Sequence, residues 1–82
     1  MERFHAYIEV HANDNIIARE DAYSVSEYGA KVAAFDKVRE VIQTLKDKTK
    51  IYVYIDIETA AGHYVSHVNI NGVVRKGELE VV

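Results

Sequence analysis

The 82-residue chain has no cysteine, no proline and no tryptophan, and each absence narrows what it can be. Without cysteine there are no disulfides, no thiolate zinc sites and no cysteine nucleophile, and cysteine usage says nothing about the redox compartment. Without proline, no strand or helix is interrupted by a missing backbone donor. No apolar run approaches the ~18 residues of a membrane span, and Met-Glu-Arg-Phe does not open a signal peptide, so a soluble, cytoplasmic protein with no membrane association is expected. Positive charge is also short: 10 Lys and Arg face 13 Asp and Glu, for a net charge of −3. Direct binding of nucleic acid by bulk charge is therefore not expected. What remains is a chain with 49% hydrophobic and 28% charged residues, enough apolar surface for a core and too much for extended disorder. With no repeat, low-complexity tract or Gly/Ser linker, residues 1–82 read as a single domain.

The hydrophobic period changes twice along the chain. Phe4 to His11 alternates strictly, with Phe4, Ala6, Ile8 and Val10 on one side and His5, Tyr7, Glu9 and His11 on the other. That is a half-buried strand. Asn13-Asp14-Asn15 is a turn, and Ile16 to Tyr23 returns as a second strand with Ala18 inward and Arg19 outward. A helix follows. Ser24 and Glu27 have capping-box spacing, flanked by Tyr23 and Tyr28 as a hydrophobic staple, and Tyr28, Val32, Phe35, Val38, Ile42 and Leu45 recur at helical steps as the expected core stripe. Gly29 interrupts an otherwise good helix former, which suggests a close approach at the first turn.

Alternation resumes at Ile51, with Ile51, Val53, Ile55 and Ile57 inward and Tyr52, Tyr54, Asp56 and Glu58 outward. Ala60 to His63 reads as a hairpin loop, and Tyr64 to Ile70 as a strand carrying Tyr64, Ser66, Val68 and Ile70 inward. Asn71-Gly72 is the strongest short hairpin signal, which would start a last strand from Val73 to Val82, bulged at Gly77. The order ββαβββ predicts an α+β fold, with a single helix on one face of an antiparallel sheet of four to five strands.

One helix leaves the other face open. Tyr7, Tyr52, Tyr54 and His67 would lie there with His5, Glu9, His11, Asp56, Glu58, Val65 and Asn69. Tyrosine and histidine have apolar bodies and polar tips, so such a face tolerates water and buries well against a protein. The plainer alternative is a solvated exterior whose tyrosines serve β-propensity and cross-strand packing. A second candidate surface is the basic cluster Lys46, Lys48 and Lys50 after the helix, which also suits the negative end of its dipole. No metal or other cofactor is expected. His5 and His11 would be about 20 Å apart along their strand, leaving only Glu9 with His11, or either with His67, within reach of one ion.

Two resemblances bear on function. Ser26-Glu27-Tyr28 running into an Ala-rich helix, followed by Ile51 to Asp56, resembles part of the ribonuclease H fold, which would imply Glu9, Glu27 and Asp56 as a divalent-metal carboxylate set. The Asp-Gly-Ser turn, one strand before the helix and the later helices of that fold are absent, and Glu27 already has a capping role. The stretch Ile57-Glu58-Thr59-x-x-Gly62-x-Tyr64-Val65-Ser66, with Asn71-Gly72 after it, looks like the C-terminal hairpin of the small phage-encoded type I-F anti-CRISPR proteins. Such proteins occupy a surface on a CRISPR surveillance complex, some using lysines to compete with nucleic acid. This resemblance implies a non-catalytic inhibitor that binds a protein partner. The remaining alternative is a homo-oligomer, such as a homodimer, joined through the sheet face or an edge strand.

Overall fold

The computed structural model describes residues 3–82. Strands β1 (Phe4–Ala12) and β2 (Asn15–Ser24) form a hairpin, helix α1 (Glu27–Ile42) crosses the sheet, and β3 (Lys50–Thr59), β4 (Tyr64–Arg75) and β5 (Glu78–Val81) follow as a meander. The sheet is antiparallel throughout, with five strands in the order β2-β1-β3-β4-β5. This is the α+β arrangement that the alternating segments predict. Among the described residues no helix is long and apolar enough to cross a membrane.

The core is built from the even residues of β1 and the odd residues of β3. Ala6, Ile8 and Val10 lie directly opposite Ile57, Ile55 and Val53, and all six are fully buried. α1 closes over them with Ala30, Ala34, Val38 and Ile42, which recur every four residues. Small side chains in the first turns let the helix backbone sit close to branched residues that project from the sheet. The helix face therefore differs from the expected stripe. Tyr28 is 78% exposed and Val32 42%, while Phe35 and Leu45 are only partly buried against the core. Large apolar residues marked the stripe in sequence, but the alanines occupy the interface because the sheet already fills it.

The cap shifts as well. Ser26, not Ser24, is the N-cap, and its Oγ accepts from the Gly29 N–H at 2.9 Å. Ser24 instead accepts from the Ser26 N–H at 3.4 Å, and a Cβ on Gly29 would collide with Ser24 Oγ. The close approach at Gly29 is thus made by the capping serines. Tyr23 and Tyr28 do not staple the helix, since both are largely exposed.

Both tight turns place non-glycine residues at positive φ. Asn13 (49°) and Asp14 (70°) join β1 to β2, and Lys76 (53°) with Gly77 (76°) joins β4 to β5. Two successive left-handed residues match the twist of a two-residue hairpin. The Asn71-Gly72 pair is not a turn: β4 runs straight through it, with Gly72 paired to Ile51 on one side and Val81 on the other. Glycine is there because a Cβ would stand 2.5 Å from the Glu80 carbonyl oxygen and 2.8 Å from Leu79 Cδ1. The signal marked a close strand approach rather than a reversal.

Candidate interaction face

Because α1 lies on one side only, the opposite side of the sheet is a continuous surface, and the register places its residues in rows. Asp21, Tyr7, Asp56 and His67 form one row, and Arg19, Glu9, Tyr54 and Asn69 the next. His11, Tyr52 and Asn71 continue it toward one end, while Tyr23, His5 and Glu58 lie toward the other. The four sequence-predicted face residues Tyr7, Tyr52, Tyr54 and His67 are thus all on this face, Tyr7, Tyr54 and His67 in the middle rows and Tyr52 in the row toward one end. One position is exchanged. A bulge between Ile57 and Glu58 makes Val65 the extra residue of β4, so Val65 packs against the core and the exposed Tyr64 reaches His67 instead. Tyr64, expected inward, is 63% exposed, and its hydroxyl lies 2.7 Å from His67 Nδ1.

Side-chain contacts preorganise the face. His5 sits between two carboxylates, with Nε2 2.6 Å from Asp21 Oδ1 and Nδ1 3.1 Å from Glu58 Oε1, and so ties β2, β1 and β3 together. Partial burial works against the charged imidazole, but the hydrogen bonds to Glu58 and Asp21 and their charges outweigh it, and the pKa of His5 is raised. Glu9 accepts from the Tyr7 hydroxyl at 2.8 Å, has His11 Nε2 at 2.7 Å and Arg19 Nε at 3.7 Å. The Tyr7 and His11 hydrogen bonds hold the Glu9 carboxyl below its ordinary range, and in return Glu9 pushes the Tyr7 hydroxyl up. Desolvation, then the charge of Asp56, pushes Tyr54 up as well. Tyr52 meets His11 edge to face at 5.4 Å.

Asp56 differs from the other acids. Its Oδ1 is buried and has no hydrogen-bond partner among the described residues, although Tyr7 and His67 flank it on the neighbouring strands. A buried carboxylate oxygen without a donor is costly.

The lysine cluster lies elsewhere. Lys46, Lys48 and Lys50 are exposed where α1 connects to β3, at the end of the sheet rather than on its face, and make no ion pair with the described residues. Lys48 takes a left-handed φ of 68°, and its N–H donates to the Val74 carbonyl at 2.7 Å. Only Lys50 approaches the aromatic set, across an open depression of about 600 Å³ that it shares with His11, Asp14, Tyr52 and Asn71.

The carboxylates that the ribonuclease H resemblance would assign do not converge. Glu9 and Asp56 are on the open face, whereas Glu27 lies on the helix side, accepting from Ser66 Oγ at 2.9 Å and paired with Lys31 at 3.1 Å. Among the described residues no three His, Asp or Glu side chains are arranged to hold a metal ion. Sequence reasoning missed Tyr23 and Asp21 as members of the face. The period-two pattern of β2 carries that information, since Arg19 outward puts Asp21 and Tyr23 on the same face and the bulge, at Ile17, lies before this run. A scan against protein-family models and searches of curated proteins and of solved structures return no significant match.

Proposed function

We propose that this protein is a non-catalytic protein-binding module that engages its partner through the open face of the sheet, as a small inhibitor occupying a surface on a larger nucleoprotein complex. The observation that carries this reading is the tyrosine-rich, preorganised open face itself, on which the register sets Tyr7, Tyr54, Tyr52 and His67 on adjoining strands and hydrogen bonds hold Tyr7 to Glu9 and His67 to Tyr64. Every tyrosine except Tyr28 contributes to that surface, and tyrosine supplies large contact area at low entropic cost. Glu9, Asp21, Asp56 and Glu58 outweigh Arg19 there, so the complementary partner surface is one that presents Arg, Lys or other hydrogen-bond donors. The resemblance of Ile57 to Ser66 to the type I-F anti-CRISPR hairpin supports a CRISPR surveillance complex as the first partner to test.

The test is capture of that purified complex by the immobilised protein, followed by affinity measurements on variants. Tyr7→Ala or Tyr54→Ala weakens binding by about 1–3 kcal/mol if the open face is the interface. Replacing Lys46, Lys48 and Lys50 with Gln then changes chiefly the association rate and its salt dependence. Unchanged binding in both tyrosine variants, with complete loss in the lysine variant, would move the interface to the basic end and make the protein a competitor for a nucleic-acid groove.

A further inference from the structure

One end of the sheet is hollow on its open face, and two opposite charges stand at the rim of the hollow without meeting. Lys50 and Tyr52 of β3 lie directly opposite Val73 and Asn71 of β4, and His11 of β1 stands beside Tyr52. Asp14, from the turn between β1 and β2, and Val82 complete the rim of the open depression of about 600 Å³. The Val82 N–H donates to the Asn71 carbonyl at 3.0 Å, which holds that side in place. Most of the lining is apolar. Sites for small molecules have this make-up, roughly 300–1,000 Å³ of mainly apolar surface with a few polar groups that fix orientation.

The polar groups are held in position. The Asn13 N–H donates to the Lys50 carbonyl at 2.9 Å, and the Lys50 N–H donates to Asn13 Oδ1 at 3.3 Å, so the turn is clasped to the start of β3. Asp14 and Lys50 are therefore neighbours, yet neither makes an ion pair with the other or with any described residue. Two other acids close to this end are already engaged, Glu9 by Tyr7, His11 and Arg19, and Glu80 by Arg75 at 2.8 Å. Glu9 also steadies the His11 ring that meets Tyr52 edge to face. Asp14 has a φ of 70° at the second position of a two-residue turn, where glycine is the preferred residue. A carboxylate is kept there against a backbone penalty, and local strain of that kind collects at ligand sites.

We propose that this depression binds a free α-amino acid with an apolar side chain. The ligand's carboxylate takes Lys50 Nζ, its ammonium takes the Asp14 carboxylate, and its side chain lies over Tyr52, Val73 and Val82. Such a ligand carries both charges on one carbon, which matches neighbouring opposite charges that have no other partner. A simple anion meets Asp14 as a like charge, and a simple cation meets Lys50 in the same way, so the rim selects against both. A peptide terminus offers only one of the two charges. The site adjoins the partner-binding face, goes beyond that reading and does not depend on it.

The test needs no partner: the whole 15N-labelled chain is titrated with L-phenylalanine and followed by amide chemical shifts. Saturable shifts are expected at Asn13–Asp14, Lys50–Tyr52 and Asn71–Val73. The probes 3-phenylpropionate, phenethylamine and glycine each lack one of the three recognised groups, and each binds at least about tenfold more weakly. Lys50→Gln weakens phenylalanine by a similar factor. Asp14→Gly removes the carboxylate together with the backbone penalty, so it loses at least about tenfold in affinity while its melting temperature does not fall, which separates loss of the site from loss of the fold. The proposal is overturned if phenylalanine gives no saturable shifts at this end, if any of the three truncated probes binds as tightly, or if Asp14→Gly or Lys50→Gln binds phenylalanine as the native protein does.

Discussion

His5 and Tyr23 stack across the β1–β2 pair with ring centroids 4.7 Å apart and planes inclined by 18°. The same imidazole is held by Asp21 and Glu58, so a single ring joins three strands through one stacking contact and two hydrogen bonds. Its raised pKa makes stability depend on pH in a definite direction. The contribution is fully present below the unfolded histidine pKa of about 6.5 and is lost as the pH rises through the higher folded value. Urea midpoints measured from pH 5.5 to 8.5 fall with pH in the native protein, and the slope flattens in His5→Gln. An unchanged slope would show that the clamp contributes nothing to folding.

Glu9 and Glu27 act in the opposite sense. Hydrogen bonds from Tyr7 and His11 lower the pKa of Glu9, and those from Ser66 and Lys31 lower that of Glu27. Their stabilisation is present above the ordinary glutamate value of 4.5 and is lost as the pH falls through the lower folded values. Glu9→Gln together with Glu27→Gln therefore narrows the difference in stability between pH 6 and pH 3, read from the same urea midpoints.

Core substitutions separate the real helix face from the apparent one. Ile55→Ala, at a fully buried position opposite Ile8, costs about 2–5 kcal/mol in chemical denaturation. Tyr28→Ala costs less than about 0.5 kcal/mol. A loss for Tyr28→Ala comparable to that for Ile55→Ala would place the helix on the sheet by its other side.

The two glycines of the last hairpin respond differently. Gly72→Ala drives a methyl into the Glu80 carbonyl and Leu79, and loosens β5 at a cost of about 1–3 kcal/mol. Gly77→Ala has open space around it and meets only the left-handed backbone penalty, about 1–2 kcal/mol. Amide exchange distinguishes them: Gly72→Ala speeds exchange along Glu78–Val81, whereas Gly77→Ala leaves its pattern intact while lowering the melting temperature.

Most of the sheet was legible because its two central strands alternate without a break. Phe4 to His11 and Ile51 to Glu58 each assign a face to every residue, and the face residues Tyr7, Tyr52 and Tyr54 follow directly, with His67 following from the alternation of β4 after Ser66. The helix was legible in its existence and in the burial of Val38 and Ile42, but its first turns were misassigned, with Tyr28 and Val32 expected inward and found exposed. A pattern read from Tyr28, Val32 and Phe35 weights size, while packing against filled strands selects Ala30 and Ala34. Asn71-Gly72 was misread because a short dipeptide signal does not distinguish a reversal from a strand pressed close by its neighbour. Tyr64 and Val65 changed places through a bulge whose cause lies in the pairing of β4 with β3, a long-range contact with no local mark. The buried Asp56 oxygen had no signature at all, since it depends on where the side chains of three strands come to rest.

The sheet order also divides the molecule into two contiguous pieces. β1, β2 and α1 are one unbroken stretch, β3, β4 and β5 another, and their strands meet only where Phe4–Ala12 lies against Ile51–Thr59. Each piece can form its own hairpins from neighbouring residues, whereas the shared seam closes only after the whole helix has been spanned. The β1–β3 seam is thus the most non-local pairing in the sheet, and its closure is expected to limit the rate of folding. It follows that a chain cut between Gln43 and Lys46 retains the means to reassemble, and mixing the two fragments should restore the native circular dichroism spectrum that neither has alone.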